Sequence, residues 1–338
     1  MIRPDLDSLP AYVPGVRDER AIKLSSNECA EEPLPAVVDA VARSLRSVNR
    51  YPDMGAMEIR EALAAHLGVA VDQVAVGTGS SALCQQLVEI AAQPGDEVIF
   101  PWRSFEAYPI FAQVVGATGV PVALDRNHRV DLPAMAAAVT TRTKLIFVCN
   151  PNNPTGTTIT NDEFTAFMDA VPADVIVALD EAYFEYNRAA DTPVATDVIT
   201  RYPNVVGLRT FSKAYGLAGA RIGYAFGPER IIATLNKVAI PFSVSSMAQV
   251  AALASLEATA ELESRIDDTT SQRERVVAKL GLGESQANFV WIPDAPAELP
   301  ERLAEEGVLV RAFPEGVRVT VTNAAETDAF LEAWDRAQ

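Results

Sequence analysis

Val74-Ala-Val-Gly-Thr-Gly-Ser-Ser-Ala-Leu83 reads as a single unit. Three apolar residues of a strand run into two glycines, then into a helical pattern that continues to Ala92 and stops at Pro94-Gly95. Glycine lets a backbone come close to a ligand, and a helix N-terminus offers unpaired N–H groups and the positive end of a dipole. The turn therefore suits a phosphate, held by Thr78, Gly79, Ser80 and Ser81. An ordinary tight turn between strand and helix has the same look. The string is also not a full GxGxxG, and no P-loop lysine follows it.

The same alternation continues downstream. Seven strand candidates are Val74–Val76, Glu97–Phe100, Val120–Ala123, Lys144–Cys149, Val175–Leu179, Val205–Leu208 and Ile222–Ala225. Several are apolar throughout, as strands covered on both faces must be. Helices separate them. One starts at Thr160, which forms a capping box with Glu163 ahead of Phe164, Phe167, Met168 and Val171. Alternating β and α units predict an α/β fold with a mostly parallel sheet between helices. Beyond about residue 228 the pattern changes. A long alanine-rich helix is expected from Ser246 to about Ile266, then a charged helix near Thr270–Leu280. Short strands follow at Phe289–Ile292, Val308–Val310 and Val317–Val321. This predicts a large domain over residues 31–240, a smaller α+β domain over 241–338, and an N-terminal segment, 1–30, that joins the small domain.

Composition bounds the partners. A net charge of -17 argues against nucleic acid and anionic membranes, which need clustered Lys and Arg. Cys29, Cys84 and Cys149 fit neither a disulfide framework nor a CxxC metal pattern, and two histidines cannot build an all-His metal site. No stretch of 18 apolar residues occurs and the N-terminus has no apolar signal region, so a cytoplasmic protein is expected.

Three further strings sit at strand ends. Asn150-Pro-Asn-Asn-Pro-Thr-Gly156 is a rigid turn from which an amide can be aimed. In Val177-Ala-Leu-Asp-Glu-Ala-Tyr183, Asp180 ends a strand that should be buried, at the edge where α/β sheets bind ligands. A buried carboxylate needs a cationic partner, and a structural ion pair would serve as well as a ligand. In Thr210-Phe-Ser-Lys-Ala-Tyr-Gly-Leu-Ala-Gly-Ala-Arg-Ile-Gly-Tyr224, Lys213 is enclosed by aromatic, apolar and glycine residues. Most lysines are solvated surface groups. Desolvation here would lower the amine's pKa and make it a nucleophile.

Taken together and in this order, these strings resemble the pyridoxal-phosphate (PLP) aminotransferases of fold type I, within them the histidinol-phosphate aminotransferase-like branch and its aromatic-amino-acid enzymes. Leu24-Ser-Ser-Asn-Glu28, Asn49-Arg-Tyr-Pro-Asp53, Pro101-Trp-Arg-Ser-Phe-Glu-Ala-Tyr108 and Arg318-Val-Thr-Val-Thr322 extend the match over nearly the whole chain. The resemblance implies the PLP-dependent transferase fold, with its seven-stranded sheet. It implies that Lys213 carries the cofactor as a Schiff base and moves the proton, while Asp180 pairs with the pyridine nitrogen and supplies the cation that its burial requires. Tyr183 and Asn153 would bond the 3′ oxygen, and Phe105 would stack on the ring. Thr78, Gly79, Ser80 and Ser81 would hold the phosphate with Thr210, Ser212 and Arg221. Tyr51 would come from the neighbouring subunit of a homodimer with shared sites. Arg318 would clamp the substrate anion, with Arg311 a nearby competitor and Tyr12, Asn27 and Tyr51 completing the pocket.

The implied reaction moves an amino group from an aromatic amino acid to a 2-oxo acid such as 2-oxoglutarate. Trp102, Phe105, Phe184 and Tyr12 favour an aromatic side chain, although Trp102 and Phe184 also suit a core. Histidinol phosphate is the alternative donor, since the same arginine can face a phosphate. A nucleotide-dependent oxidoreductase would leave Lys213 and Asp180 unexplained. A DNA-binding regulator would need a basic domain that the chain lacks.

Overall fold

The computed structural model describes residues 6, 7, 18 and 20–337. Twelve strands occur among them: β1 Ile22–Lys23, β2 Val74–Gly77, β3 Glu97–Trp102, β4 Thr118–Ala123, β5 Thr143–Cys149, β6 Ile176–Asp180, β7 Val205–Thr210, β8 Gly223–Phe226, β9 Phe289–Pro293, β10 Val308–Leu309, β11 Arg311–Phe313 and β12 Gly316–Thr320. All seven strand candidates of the first two-thirds of the chain form, and they make one sheet in the order β2-β8-β7-β6-β5-β3-β4. Only β8 runs antiparallel to its neighbours in this sheet.

Side chains along each strand alternate between two apolar layers. Ile99, Ile146, Val148, Val177 and Leu179 meet Phe164, Phe167 and Met168 on one face. Val98, Phe100, Leu145, Phe147 and Ala178 meet Leu83, Leu87 and Val88 on the other. Covering on both faces is why these strands read as unbroken apolar runs. The helix Asn161–Ala170 starts as the sequence predicts, with Thr160 and Glu163 closing a capping box.

The register brings chemistry to one edge. Cys149 pairs with Asp180 and Asp180 with Leu208, so the carboxyl ends of β5, β6 and β7 are level. Gly223 of β8 pairs with Gly77 on one side and Thr210 on the other. A Cβ on Gly223 would lie 2.4 Å from the Ser80 nitrogen and 2.8 Å from the Gly79 carbonyl carbon. Glycine at 223 is therefore what lets the turn after β2 close over β8 and sit beside the end of β7.

One expectation needs correction. The helix predicted from Ser246 to about Ile266 breaks at Ala258, whose backbone leaves the helical region. It divides into Ser246–Glu257 and a single 22-residue helix, Thr259–Leu280, which absorbs the separate charged helix. Ala258 is itself buried in the large core, and helix formers flank it on both sides, so no breaker residue announces the bend. The C-terminal strands form a three-stranded antiparallel sheet, β11-β12-β9, while β1 pairs in parallel with β10. Leu24, Val290, Leu303, Val319 and Phe330 share a second core there. The end of the N-terminal segment thus packs with the small sheet. Among the described residues no helix is long and apolar enough to cross a membrane.

Candidate active site

A cavity of about 320 Å³ opens where β5, β6 and β7 end, between the large sheet and β11–β12. That volume is in the range of small-molecule sites. Its lining includes Asn27, Ser80, Ser81, Phe105, Asn153, Asp180, Tyr183, Thr210, Ser212, Lys213, Arg221 and Arg318. Four strings far apart in sequence thus meet, as expected.

Asp180 lies at the floor, 4% exposed. Tyr108 Oη donates to one of its oxygens at 2.6 Å and the Ala182 N–H to the other at 3.2 Å. Neither donor carries a charge. Burial outweighs both hydrogen bonds and pushes the carboxyl up to about 6. A carboxylate placed this way calls for a cation from outside the chain's own set of hydrogen-bond donors.

Lys213 Nζ donates to the carbonyls of Asn27 (3.3 Å) and Ser26 (3.4 Å), and stands 5.7 Å from the centre of the Tyr183 ring. Burial and the nearby Arg318 charge lower the amine to about 8. Asn27 Nδ2 donates to Tyr183 Oη at 2.8 Å, and burial raises this phenol above the ordinary tyrosine value.

The turn after β2 leads into a 12-residue helix, Ser80–Ala91, whose first residues, Ser80 and Ser81, line the cavity. Gly79 has φ +81°, and a Cβ there would collide with the Arg221 guanidinium. Arg221 donates to the carbonyls of Ala218 (2.9 Å) and Thr78 (3.5 Å) and to Ser212 Oγ (3.4 Å). Thr210 Oγ1 donates to Ser212 Oγ at 3.0 Å. Helix dipole, hydroxyls and guanidinium converge into an anion cradle, with Thr78 and Gly79 as its frame.

Arg318 is nearly buried in β12, the middle strand of the small sheet. It donates to Asn153 Oδ1 and, at 2.6 Å, to the Ser25 carbonyl. Arg311, one strand over, pairs with Glu106 at 2.8 Å on the cavity wall. Phe105 and Phe313 supply the apolar lining.

Some expected residues stand elsewhere. Tyr51 is 83% exposed and stacks on Phe242. Phe184 lies under the Arg209 guanidinium, 3.4 Å from it, beside the buried Arg209–Glu181 pair, and does not line the cavity. Trp102 packs edge-on to Phe100, with Arg103 over its ring. Tyr12 lies outside the described residues. Tyr108, Ser25, Glu106 and Phe313 were not singled out from sequence. Tyr108 ends the stretch Pro101–Tyr108, but only the packed fold reveals its bond to Asp180.

The model of the aminotransferase class I and II family matches residues 19–333. The chain is 64% identical over 338 residues to the aromatic amino acid aminotransferase of Corynebacterium glutamicum (strain R), covering 99% of this chain and 98% of that protein. It is 52% identical to the protein of the same name from Rhodococcus jostii (strain RHA1), covering 97% and 94%. Among solved structures, histidinol-phosphate aminotransferase from Sinorhizobium meliloti, in complex with pyridoxal-5′-phosphate, superposes with a TM-score of 0.89 at 28% identity, covering 99% and 97%.

The lowered amine has a measurable consequence. Without a bound carbonyl compound, Lys213 should react with amine-directed reagents at a rate that reaches half its maximum near pH 8, since only the neutral amine attacks. Labelling at increasing pH followed by peptide mapping tests this. A midpoint near that of a solvated lysine, about 10.4, would contradict it.

Proposed function

The chain belongs to the class I and II aminotransferases, and on that footing we propose that it moves the amino group of an aromatic amino acid to a 2-oxo acid such as 2-oxoglutarate, with pyridoxal phosphate as cofactor. The observation that carries the choice of donor is the full-length identity to relatives named for aromatic amino acids. Histidinol phosphate is less favoured, because the neighbour bearing that name shares far less sequence.

The residues present fit the cofactor. A buried carboxylate with uncharged partners suits a pyridinium nitrogen, the anion cradle suits a phosphate, and a partly neutral amine lines the same cavity. When bound, pyridoxal phosphate supplies an electrophilic carbon and a ring that draws electrons from the substrate's α-carbon. Lys213 is the covalent anchor and, once freed, carries the α-proton on Nζ. Asp180 holds the ring nitrogen protonated. Tyr183 and Asn153 would hydrogen-bond the 3′ oxygen, and Phe105 would supply the apolar face against the ring. Ser80, Ser81, Thr210, Ser212 and Arg221 hold the phosphate, with Thr78 and Gly79 shaping the turn. Arg318 takes the substrate carboxylate, its planar fork donating one N–H to each oxygen. Phe313 and Phe105 wall the side-chain space with apolar surface, and Asn27 closes it from the N-terminal segment.

This reading extends to assembly and place. Tyr51, Leu45, Val48, Met54, Ile240 and Phe242 are exposed. Apolar surface of this kind marks interfaces. A homodimer in which each Tyr51 reaches the partner's phosphate site accounts for it. Residues 31–240 then form the cofactor-binding body, and 1–30 with 241–338 the smaller one, residues 1–30 serving as a lid. A reducing compartment, the cytoplasm, suits three unpaired cysteines.

Two measurements test the reading. With 2-oxoglutarate as acceptor, kcat/KM should be at least about tenfold higher for phenylalanine or tyrosine than for histidinol phosphate, a gap of about 1.4 kcal/mol. A preference for histidinol phosphate would overturn the donor assignment. Sedimentation at micromolar concentration should return twice the chain mass, and the mass of one chain would refute the shared site.

A further inference from the structure

Asn27 is 1% exposed and holds a left-handed backbone (φ 54°), a conformation that asparagine tolerates better than most residues. All of its polar groups meet functional neighbours. Its N–H donates to Thr320 Oγ1 at 3.0 Å. The Thr320 hydroxyl, having accepted there, turns its own hydrogen to Asn27 Oδ1, also at 3.0 Å. This closed exchange fixes which end of the amide is oxygen. The other end, Nδ2, then faces Tyr183 Oη at 2.8 Å.

An amide nitrogen has hydrogens to give and no lone pair to accept with. Tyr183 must therefore receive this bond on its oxygen, and its own hydrogen must point elsewhere. The ring is held in place by Phe289, edge-on at 5.0 Å. The phenol lies on the cavity wall beside Lys213, whose Nζ donates to the Asn27 carbonyl. From this geometry we infer that Thr320 and Asn27 are a positioning pair that makes Tyr183 an obligate proton donor into the cavity. The inference rests on the role given above to Tyr183 and adds what enforces it.

The pair also ties the two halves of the site together. Thr320 and Arg318 are two residues apart on β12, so they project from the same face of that strand. Through Arg318 the strand grips Asn153, and through Thr320 and Asn27 it grips Tyr183. The strand that carries the substrate-anion arginine thus also orients both groups assigned to the cofactor's 3′ oxygen.

The test reads a spectrum, not a rate. A hydrogen bond donated to an anionic oxygen favours the deprotonated chromophore and lowers its titration midpoint. Thr320→Val frees the amide to rotate and offer Oδ1 to Tyr183, which then donates to it instead of into the cavity. In the holoenzyme, the midpoint of the visible absorption titration should rise by about one unit, in the same direction as in Tyr183→Phe. Thr320→Ser, which keeps the hydroxyl, should match wild type, and Thr320→Val should add nothing in a Tyr183→Phe background. Thr320→Ala serves in place of valine if the larger apolar side chain impairs folding. A shift in Tyr183→Phe with none in either Thr320 variant would overturn the pair while leaving the role of Tyr183 intact. No shift even in Tyr183→Phe would remove both.

Discussion

A carboxylate at the end of a buried strand is the constraint on which this site depends. Asp180 is enclosed by the sheet and by Tyr108, and its two hydrogen bonds come from uncharged groups. Left alone, burial favours the protonated acid. In the proposed reading a cationic ring nitrogen would offset the cost of burying that charge, and the same pairing would keep the ring electron-poor. Cofactor retention and chemistry therefore draw on one electrostatic contact. The surrounding register serves it, since β5, β6 and β7 end level and bring Asn153, Asp180 and Lys213 to a common edge.

The anion cradle answers the second demand, holding a phosphate in a chain of net charge -17. Overall field works against the ligand, so local groups must prevail. In the proposed site a helix N-terminus, the hydroxyls of Ser80, Ser81, Thr210 and Ser212 and one guanidinium would do so at short range, where screening is weak. Their meeting requires backbone contact between the turn after β2 and β8. Gly223 permits that contact, and Gly79 leaves room for Arg221. The glycines thus act through the space they leave.

Much of this was legible in the sequence, for physical reasons. Strands covered on both faces must be apolar throughout, so the seven strands of the large sheet could be read directly. Lys213 and Asp180 stood out because charged groups at the ends of such strands need a purpose. Other features depend on packing between distant segments and leave no local mark. The Tyr108 bond to Asp180, the Glu106–Arg311 pair and the Thr320–Asn27–Tyr183 chain are of this kind. Phe184 looked like a pocket wall, yet it supports the buried Arg209, whose partner Glu181 follows Asp180 in the same string. The bend at Ala258 was hidden because alanine is the strongest helix former and argues against a break at that position.

In the proposed reading, Asp180 and the cofactor's ring nitrogen share a charge-paired proton. Nitrogen-15 magnetic resonance of the enzyme loaded with cofactor labelled at the pyridine nitrogen reads that proton directly. The nitrogen should be protonated at neutral pH in the wild-type enzyme and should lose that proton in Asp180→Asn. An unprotonated nitrogen in the wild type, or one unchanged by the substitution, would contradict it.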